Sequence, residues 1–259
     1  MSAFYTIWLR DLTRFLRNRS RIFTSLAQPL LYLAIFGSGL SSLLSGTTAL
    51  GGVSFTAFVY PGVIGLTIMF TALFTAISVV YDREFGFLKE VLVSPAPRLA
   101  VALGKVVGGS TIALLQGVLT LPLAWLLGLP LTFGQVAQLI GIMAVLAAVC
   151  TALGLLISTR LRGIEGYNVI INFLMMPLFL LSGALFPLAG LPGWMNVLVS
   201  VNPMAYATDA LRQVALAGSV QPGFLAASRL HPAGVDVLVL LGFFVLFLVP
   251  AVRAFSKQE

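Results

Sequence analysis

Six apolar runs, each of about twenty residues or more, divide the chain and limit what it can fold into. They cover residues 22–44, 55–81, 99–127, 135–159, 167–186 and 234–252. A helix needs about 20 apolar residues to cross a hydrocarbon layer of about 30 Å. The strands of a membrane barrel would alternate apolar and polar residues, and these runs do not alternate. Since helices satisfy every backbone group in lipid, the runs predict an all-α polytopic membrane protein with six transmembrane helices.

The composition excludes several other classes of protein. Of the 259 residues, 59% are hydrophobic and only 9% are charged, against about 45–50% and about 25% in soluble domains. A soluble enzyme, a disordered regulator and a secreted disulfide scaffold are therefore excluded. The single cysteine, Cys150, lies in an apolar run and has no intrachain partner for a disulfide.

The positive charges predict the orientation. The net charge is +7, and thirteen of the fifteen Lys and Arg residues fall on one side of the predicted spans, with only Arg212 and Arg229 on the other. Cytoplasmic loops carry the excess of Lys and Arg, so we expect a multi-pass protein of the cell (inner) membrane with both termini in the cytoplasm. This topology accounts for the cationic excess without nucleic acid as a partner.

The N-terminal stretch, residues 1–21, has the pattern of an interfacial amphipathic helix. Its aromatic and apolar residues recur at helical spacing, and its arginines occupy another face: Phe4, Trp8, Leu12 and Phe15 against Arg10, Arg14, Arg17 and Arg21. Such a helix lies at the membrane surface near anionic headgroups. It serves either as an orientation anchor or as a lever that connects a cytoplasmic partner to the first span.

A second amphipathic helix is predicted on the cytoplasmic side, in the stretch DREFGFLKEVLVSPAPR that begins at Asp82. Its charged and apolar residues take opposite sides at about 100° per residue, except for Glu84, which falls within the apolar arc. Pro95 and Pro97 end the helix because proline lacks the backbone donor. The helix either lies on lipid or docks into a partner protein, and both charge signs on one small face favour the partner.

The outer segment 187–233 is too polar to span a membrane and too apolar to be a free loop. It contains an interfacial Trp194 and an Asn202–Pro203 pair that separates two short helices. We interpret it as a re-entrant pair dipping in from outside, with a cap lying flat on the membrane as the alternative. Asp209 and Arg212 sit three residues apart and are expected to pair along one helix face.

The spans carry no charge near their centres, and Lys105 and Asp236 near span ends are expected to snorkel. Ion-coupled carriers usually mark their relay with an intramembrane ionisable residue. No Walker loop, zinc spacing or nucleophile motif occurs in the sequence. The energy for transport is therefore expected from outside the chain. An ion-coupled secondary carrier, a polytopic membrane enzyme and a non-transporting scaffold stay as alternatives.

Three motifs together resemble the type-2 ATP-binding-cassette (ABC) exporter permeases, in their daunorubicin-resistance-like drug-exporter branch. They are DREFGFLKEVLVSPAPRLAVALGK, PLFLLSGALFPLAGLPGW and NPMAYATDALR, and the resemblance covers essentially the whole chain. It implies a permease that moves a hydrophobic or amphiphilic substrate out of the cytoplasm or inner leaflet. A polysaccharide or lipo-oligosaccharide exporter shares the layout and is the alternative, and an ion-coupled carrier is more remote.

The resemblance also implies partners. Two separate ABC ATPase subunits would bind ATP and Mg²⁺, and a second permease copy would complete a homodimer. The chain itself would hold no cofactor, metal or catalytic residue. It would form one transmembrane domain, 1–259, with a connecting helix at 1–21, spans one to five in 22–186, a re-entrant segment at 187–233, and span six with its tail at 234–259.

Residue by residue, the resemblance implies four groups of functional positions. The coupling helix 82–94 would dock on the ATPase through Asp82, Arg83, Glu84, Phe85, Gly86, Lys89 and Glu90. The connecting helix would contribute Trp8, Arg10, Arg14 and Arg17. The outer gate would consist of Gly193, Trp194, Asn202 and Pro203. The translocation path would be lined by Phe36, Phe70, Phe74, Asn172, Met175, Met176 and Phe179.

Overall fold

A computed structural model of the chain describes residues 3–17, 27, 29–35, 54–85, 97–161, 163–188, 191–220 and 229–256. The regular structure in these ranges is helical. Nine helices in these ranges are, in chain order, α1 (Ala3–Arg17), α2 (Phe55–Glu84), α3 (Arg98–Val118), α4 (Leu123–Leu126), α5 (Phe133–Arg160), α6 (Ile164–Leu180), α7 (Gly193–Ser200), α8 (Pro203–Ala215) and α9 (Ala233–Ser256). Residues 29–35, between α1 and α2, are also helical.

Four stretches of helix in the described part are long and apolar enough to cross a membrane. They are α2, the continuous stretch Arg98–Leu126 that contains α3 and α4, α5, and Ala233–Phe255 in α9. They overlap the second, third, fourth and sixth predicted spans. Most of the first predicted span lies outside the described residues, so the count of six stays a prediction.

Two spans end differently from the sequence expectation. The third is interrupted after Val118 by turns around Pro122, which has no backbone donor to continue the helix. The fifth begins at Ile164 and ends at Leu180, before the expected 186. After Leu180 the chain turns: Ser182 Oγ accepts a hydrogen bond from the Ala184 amide, and Gly183 has a positive φ of 71°. Glycine adopts this left-handed backbone conformation more readily than other residues do.

Helix α2 forms the centre of the bundle, and small residues let its neighbours approach closely. A Cβ on Gly62 would lie 2.3 Å from the Cβ of Ala184. A Cβ on Gly154 of α5 would lie 2.7 Å from the Cβ of Ala76. Tyr167 of α6 donates its hydroxyl to the carbonyl of Leu73 at 2.6 Å. Close backbone approach through small residues is the usual packing mode of membrane helices.

The N-terminal helix α1 packs against the start of α3 at one end of the bundle. Gly104 and Gly108 of α3 face it: a Cβ on Gly104 would lie 3.2 Å from the carbonyl oxygen of Phe4, and one on Gly108 would lie 3.8 Å from the Cα of Trp8. We call this the α1 end. The Gly104–Gly108 spacing indicates close helix approach, and α1 is the helix that approaches.

Helix α8 is inserted at the opposite end of α2, here called the α8 end. Its first turn lies deep, because Gly65 is close to both Met204 of α8 and Leu146, midway along α5. Its last turn lies at the start of α5, where the Gln135 amide donates to the carbonyl of Val214 at 3.1 Å. Gln135 and Leu146 are about 16 Å apart along a helix axis, so α8 descends about that far into the bundle.

Candidate functional site

Four charged side chains from three helices meet at the α1 end. Lys105 Nζ of α3 lies 2.7 Å from Asp82 Oδ2 of α2 and 3.3 Å from Asp11 Oδ2 of α1. Arg10 Nη2 lies 3.2 Å from Asp82 Oδ2 and 3.1 Å from Asp11 Oδ1. We call Arg10, Asp11, Asp82 and Lys105 the charge cluster. It connects α1, α2 and α3.

The charge cluster is largely removed from solvent. The side chain of Lys105 is 6% exposed and that of Asp82 is 13% exposed. The expectation that Lys105 snorkels to the interface is wrong, because two carboxylates close to its ammonium group provide a better partner than water. Partial burial acts to lower the pKa of Arg10, but the adjacent Asp11 and Asp82 carboxylates outweigh it and raise that pKa above its ordinary value.

The first coupling-helix positions continue α2 without a break. Arg83 donates to the carbonyl of Ser158 at 3.0 Å and to that of Leu161, so Asp82 and Arg83 both contact neighbouring helices. Glu84 is exposed, and Phe85 is 76% exposed with its ring stacked on Tyr81. Gly86, Lys89 and Glu90 lie outside the described residues. Docking of an ATPase on this segment stays a prediction.

The predicted connecting-helix residues take different roles within α1. Trp8 donates its indole N–H to Thr111 Oγ1 at 3.2 Å, which fixes α1 to α3. Arg10 belongs to the charge cluster, whereas Arg14 and Arg17 are exposed. The sequence reasoning missed Asp11, although an acidic residue among the N-terminal arginines was a signal that it had a partner.

At the α8 end, the predicted gate residues join three helices. Asn202 Oδ1 accepts from the Met204 amide at 2.9 Å and so caps α8, with Pro203 as its first residue. The Asn202 amide donates to the carbonyl of Leu178 in α6 at 2.9 Å. Trp194 is 66% exposed and Gly193 is exposed in α7. Asn202 and Pro203 are thus buried in the bundle, whereas Gly193 and Trp194 on α7 are exposed.

Arg212 of α8 is fully buried against α2. Its guanidinium lies 4.0 Å from the ring centroid of Phe58, and Nη2 donates to the carbonyl of Gly183. The expected pair with Asp209 does not form, because the Arg212 side chain extends to Phe58 and Gly183. Asp209 Oδ2 instead accepts from the Leu230 amide at 2.8 Å. Burial lowers the pKa of Arg212 to about 10, and burial raises the pKa of Asp209.

Gln213 connects this region to α9. Its amide nitrogen lies 3.1 Å from Asp209 Oδ2 and 3.3 Å from Asp236 Oδ2. His231 Nδ1 lies 3.5 Å from Asp236 Oδ1. Asp236 is fully buried and does not snorkel, because α8 covers it. The sequence reasoning missed Gln213, since nothing in its local pattern indicates contacts with residues more than twenty positions away.

The predicted path residues fall into separate groups in one chain. Phe70 and Phe74 stack in α2 with ring centroids 6.0 Å apart, and Phe179 lies 6.4 Å from Tyr32. On α6, Met175 is buried, whereas Met176 is 66% exposed and Asn172 is exposed. Phe36 lies outside the described residues. The structure does not bring these side chains together around one channel within the described chain, and their role stays a prediction.

Comparison with known proteins assigns the chain to a family. Residues 2–216 match the sequence profile described as ABC-2 type transporter. The chain belongs to the ABC-2 type transporter family. It is similar to the inner membrane transport permease YadH of Escherichia coli, with 26% identity over 95% of this chain and 90% of YadH. It is also similar to the transport permease ycf38 of Pyropia yezoensis, with 29% identity over 76% of this chain and 68% of ycf38.

A third relative carries a more specific name. YbhR of Escherichia coli, named as a multidrug ABC transporter permease, is 30% identical over 61% of this chain and 44% of YbhR. Family membership makes this chain a multi-pass membrane permease of an ABC transporter, a transport subunit whose partners are an ABC ATPase and the lipid bilayer. Among the residues that the structure describes, no cluster of His, Cys, Asp and Glu could hold a metal ion.

Proposed function

We propose that this permease exports a hydrophobic or amphiphilic molecule across the inner membrane, driven by two ATPase subunits. The α1 end then faces the cytoplasm, in agreement with the positive-inside rule, and both termini lie on that side. The names of these relatives support the proposal: YadH is named as an inner membrane transport permease, and YbhR as a multidrug ABC transporter permease. The chemistry of the α2 and α6 faces supports an apolar cargo for this chain.

The observation that carries the proposal is the end of α2. Asp82 is bonded to Lys105 in α3, and Arg83 is bonded to the end of α5. Glu84 and Phe85 follow directly and are exposed. An exposed aromatic ring suits a protein groove, because aromatic residues, phenylalanine among them, are enriched at protein interfaces. A displacement of this end would act on α1, α3 and α5 together through their bonds to Asp82 and Arg83.

The exposed face of α6 supports a second copy as the neighbour. Six of its large apolar or amide side chains are exposed: Val169, Ile170, Asn172, Phe173, Met176 and Leu180. Phe173 is 80% exposed. The Asn172 amide nitrogen donates to the carbonyl of Asn168 at 2.8 Å, and its amide oxygen would gain a hydrogen-bond donor from a protein or aqueous neighbour but not from lipid. We place the translocation path between two copies at this face.

The test separates docking from transport. The permease is co-purified with its ATPase, and permease-dependent ATP hydrolysis is compared for wild type, E84A/F85A and the control E165A. Glu165 is an exposed carboxylate in the first turn of α6. We expect the double variant to lose permease-dependent hydrolysis by about tenfold or more, as for interface residues worth at least 1.4 kcal/mol, while E165A retains it.

Two results would count against the proposal. Unchanged hydrolysis in E84A/F85A would remove the docking role of the α2 end. ATP-dependent uptake of doxorubicin into inverted vesicles tests the cargo class separately. If hydrolysis depends on Glu84 and Phe85 but doxorubicin uptake is absent for wild type, docking is retained and the drug-like cargo is rejected.

A further inference from the structure

A cavity of about 200 Å³ lies between α1, α2 and α3 at the α1 end. Its wall combines an arginine, aromatic rings and hydroxyl groups: Arg14 and Phe15 from α1, and Phe74, Ser78 and Tyr81 from α2. Asp11 of the charge cluster also reaches the wall. Neither the family assignment nor the ATPase contact explains a cavity of this composition.

The local charge favours an anionic occupant. The carboxylates of Asp11 and Asp82 are each bonded to both Arg10 and Lys105. Two cations thus balance two carboxylates, and Arg14 adds one positive charge beyond them. Among the described residues, no carboxylate lies within ion-pair distance of the Arg14 guanidinium. A phosphate or similar anion would give Arg14 a bidentate partner.

The hydroxyl groups suit the same occupant. Ser78 Oγ accepts a hydrogen bond from Lys105 Nζ at 3.3 Å, which leaves the serine hydrogen to donate. Tyr81 brings a phenol to the same wall. Phe15 and Phe74 supply apolar surface beside these donors. An anionic group attached to an apolar body is complementary to both parts of the wall.

Size and position favour a membrane lipid over a complete cargo molecule. Pockets for drug-sized ligands occupy about 300–1,000 Å³, so a cavity of about 200 Å³ accommodates a headgroup with the rest of the molecule outside. Helix α1 also exposes Leu9 and Leu16 alongside Arg14 and Arg17. A helix that exposes both apolar and basic residues lies at the level of lipid headgroups.

We propose that this cavity binds the phosphate headgroup of an anionic phospholipid, with Arg14 as counter-charge and Ser78 and Tyr81 as donors. The acyl chains extend past Phe15 and Phe74 into the bilayer. The site lies beside the charge cluster, whose Asp11 it shares, and holds α1 against α2 and α3. It requires only that the chain lies in a bilayer, so it stands or falls independently of ATP-driven export.

Native mass spectrometry of the full-length chain tests the site. The detergent-solubilised protein is titrated with phosphatidylglycerol or phosphatidylcholine. Wild type is expected to retain one phosphatidylglycerol in preference to phosphatidylcholine. R14Q should weaken this retention about tenfold, the loss of one charge-assisted bond. R17Q removes the same charge three residues further along α1, away from the cavity wall, and should change retention by less than twofold.

Two further arms distinguish the cavity from surface charge and from soluble anions. I77W places a larger side chain in the cavity wall while Arg14 stays, and it should also abolish selective retention. Inorganic phosphate should not displace the lipid, because it cannot use the apolar wall. If R14Q does not fold by size-exclusion chromatography and circular dichroism, I77W and R14K decide, with R14K expected to retain selectivity.

Three outcomes would overturn the site. Equal losses in R14Q and R17Q would indicate general surface attraction. Equal retention of the two lipids by wild type would indicate an apolar pocket without anion selectivity. Displacement of the lipid by inorganic phosphate would indicate a soluble-anion site.

Discussion

Lys105 is the residue whose removal should disturb the α1 end most. In K105M a side chain of similar length loses its charge, and the Asp82 and Asp11 carboxylates lose a cation at 2.7 and 3.3 Å. Removing one partner of a buried ion pair costs about 3–5 kcal/mol, because the other charge stays desolvated. Arg10 still contacts both carboxylates, so we expect the low end, about 3 kcal/mol lost from the free energy of unfolding.

A double-mutant cycle gives the sharper test. D82N leaves Lys105 with Asp11, and the new amide oxygen can still accept from the Lys105 ammonium, so this variant should cost about 1.5 kcal/mol, the low end for a hydrogen bond to a charged group. In K105M/D82N only the Arg10–Asp11 pair is left, and it is balanced. The double variant should therefore cost about 2 kcal/mol rather than the sum of the single costs, which corresponds to a coupling energy of about 2–3 kcal/mol.

The measurement is equilibrium unfolding in mixed dodecylmaltoside and dodecylsulfate micelles, followed by far-ultraviolet circular dichroism. R160M is the matched control, because Arg160 is an exposed cation at the end of α5 and its loss should change stability by less than about 0.5 kcal/mol. The reasoning would be refuted by a K105M stability within that margin of R160M. It would equally be refuted if the K105M and D82N costs simply add.

Three further predictions concern the α8 end. Because burial raises the pKa of Asp209, the folded state binds more protons there than the unfolded state does, so stability should fall as pH rises above the ordinary carboxyl range. The melting temperature measured against pH should show this fall, and D209N should flatten it. An unchanged slope in D209N would contradict the prediction. N202A should lower the free energy of unfolding by about 1–2 kcal/mol through the lost cap and amide bond, with N202S, whose hydroxyl keeps a cap, losing less. G62V should lower the free energy of unfolding by about 1–3 kcal/mol, because the new side chain overpacks the contact with Ala184. G141A is the control and should leave the stability of the protein unchanged, because nothing lies within 4 Å of its new Cβ. Equal melting temperatures for the two variants would exclude the Gly62 contact.

The sequence predicts the helices well where the signal is local. Apolar runs of sufficient length indicate α2, α5 and α9, and the Asn202–Pro203 pair marks the division between α7 and α8. These features depend on neighbouring residues alone. The end of α6 was misplaced because the glycine turn at Gly183 interrupts an apolar run that composition alone would continue.

The polar contacts could not be predicted in the same way. Asp11, Asp82 and Lys105 come from helices far apart in the chain, and only packing decides that they meet. Arg212 shows the same limit. Its spacing from Asp209 favours a pair along α8, but the buried guanidinium contacts Phe58 and Gly183 instead. Long-range neighbours thus override a local preference wherever a charge is buried.

The polar networks lie at opposite ends of the same helix. Asp82 at one end of α2 is bonded into the charge cluster, and Phe58 near the other end lies under Arg212. They are 24 positions apart, about 36 Å along a helix axis. Between them α2 is packed mainly through apolar and small residues, whose contacts are less directional than hydrogen bonds. Packed interiors transmit displacement, and hydrogen-bonded charges switch between discrete arrangements. A movement of the α2 end at Glu84 would therefore be resisted mainly by the charge cluster and by the contacts of Arg212. We therefore expect a change between conformations to break and remake bonds at the charge cluster, at Arg83 and at the Arg212 contacts.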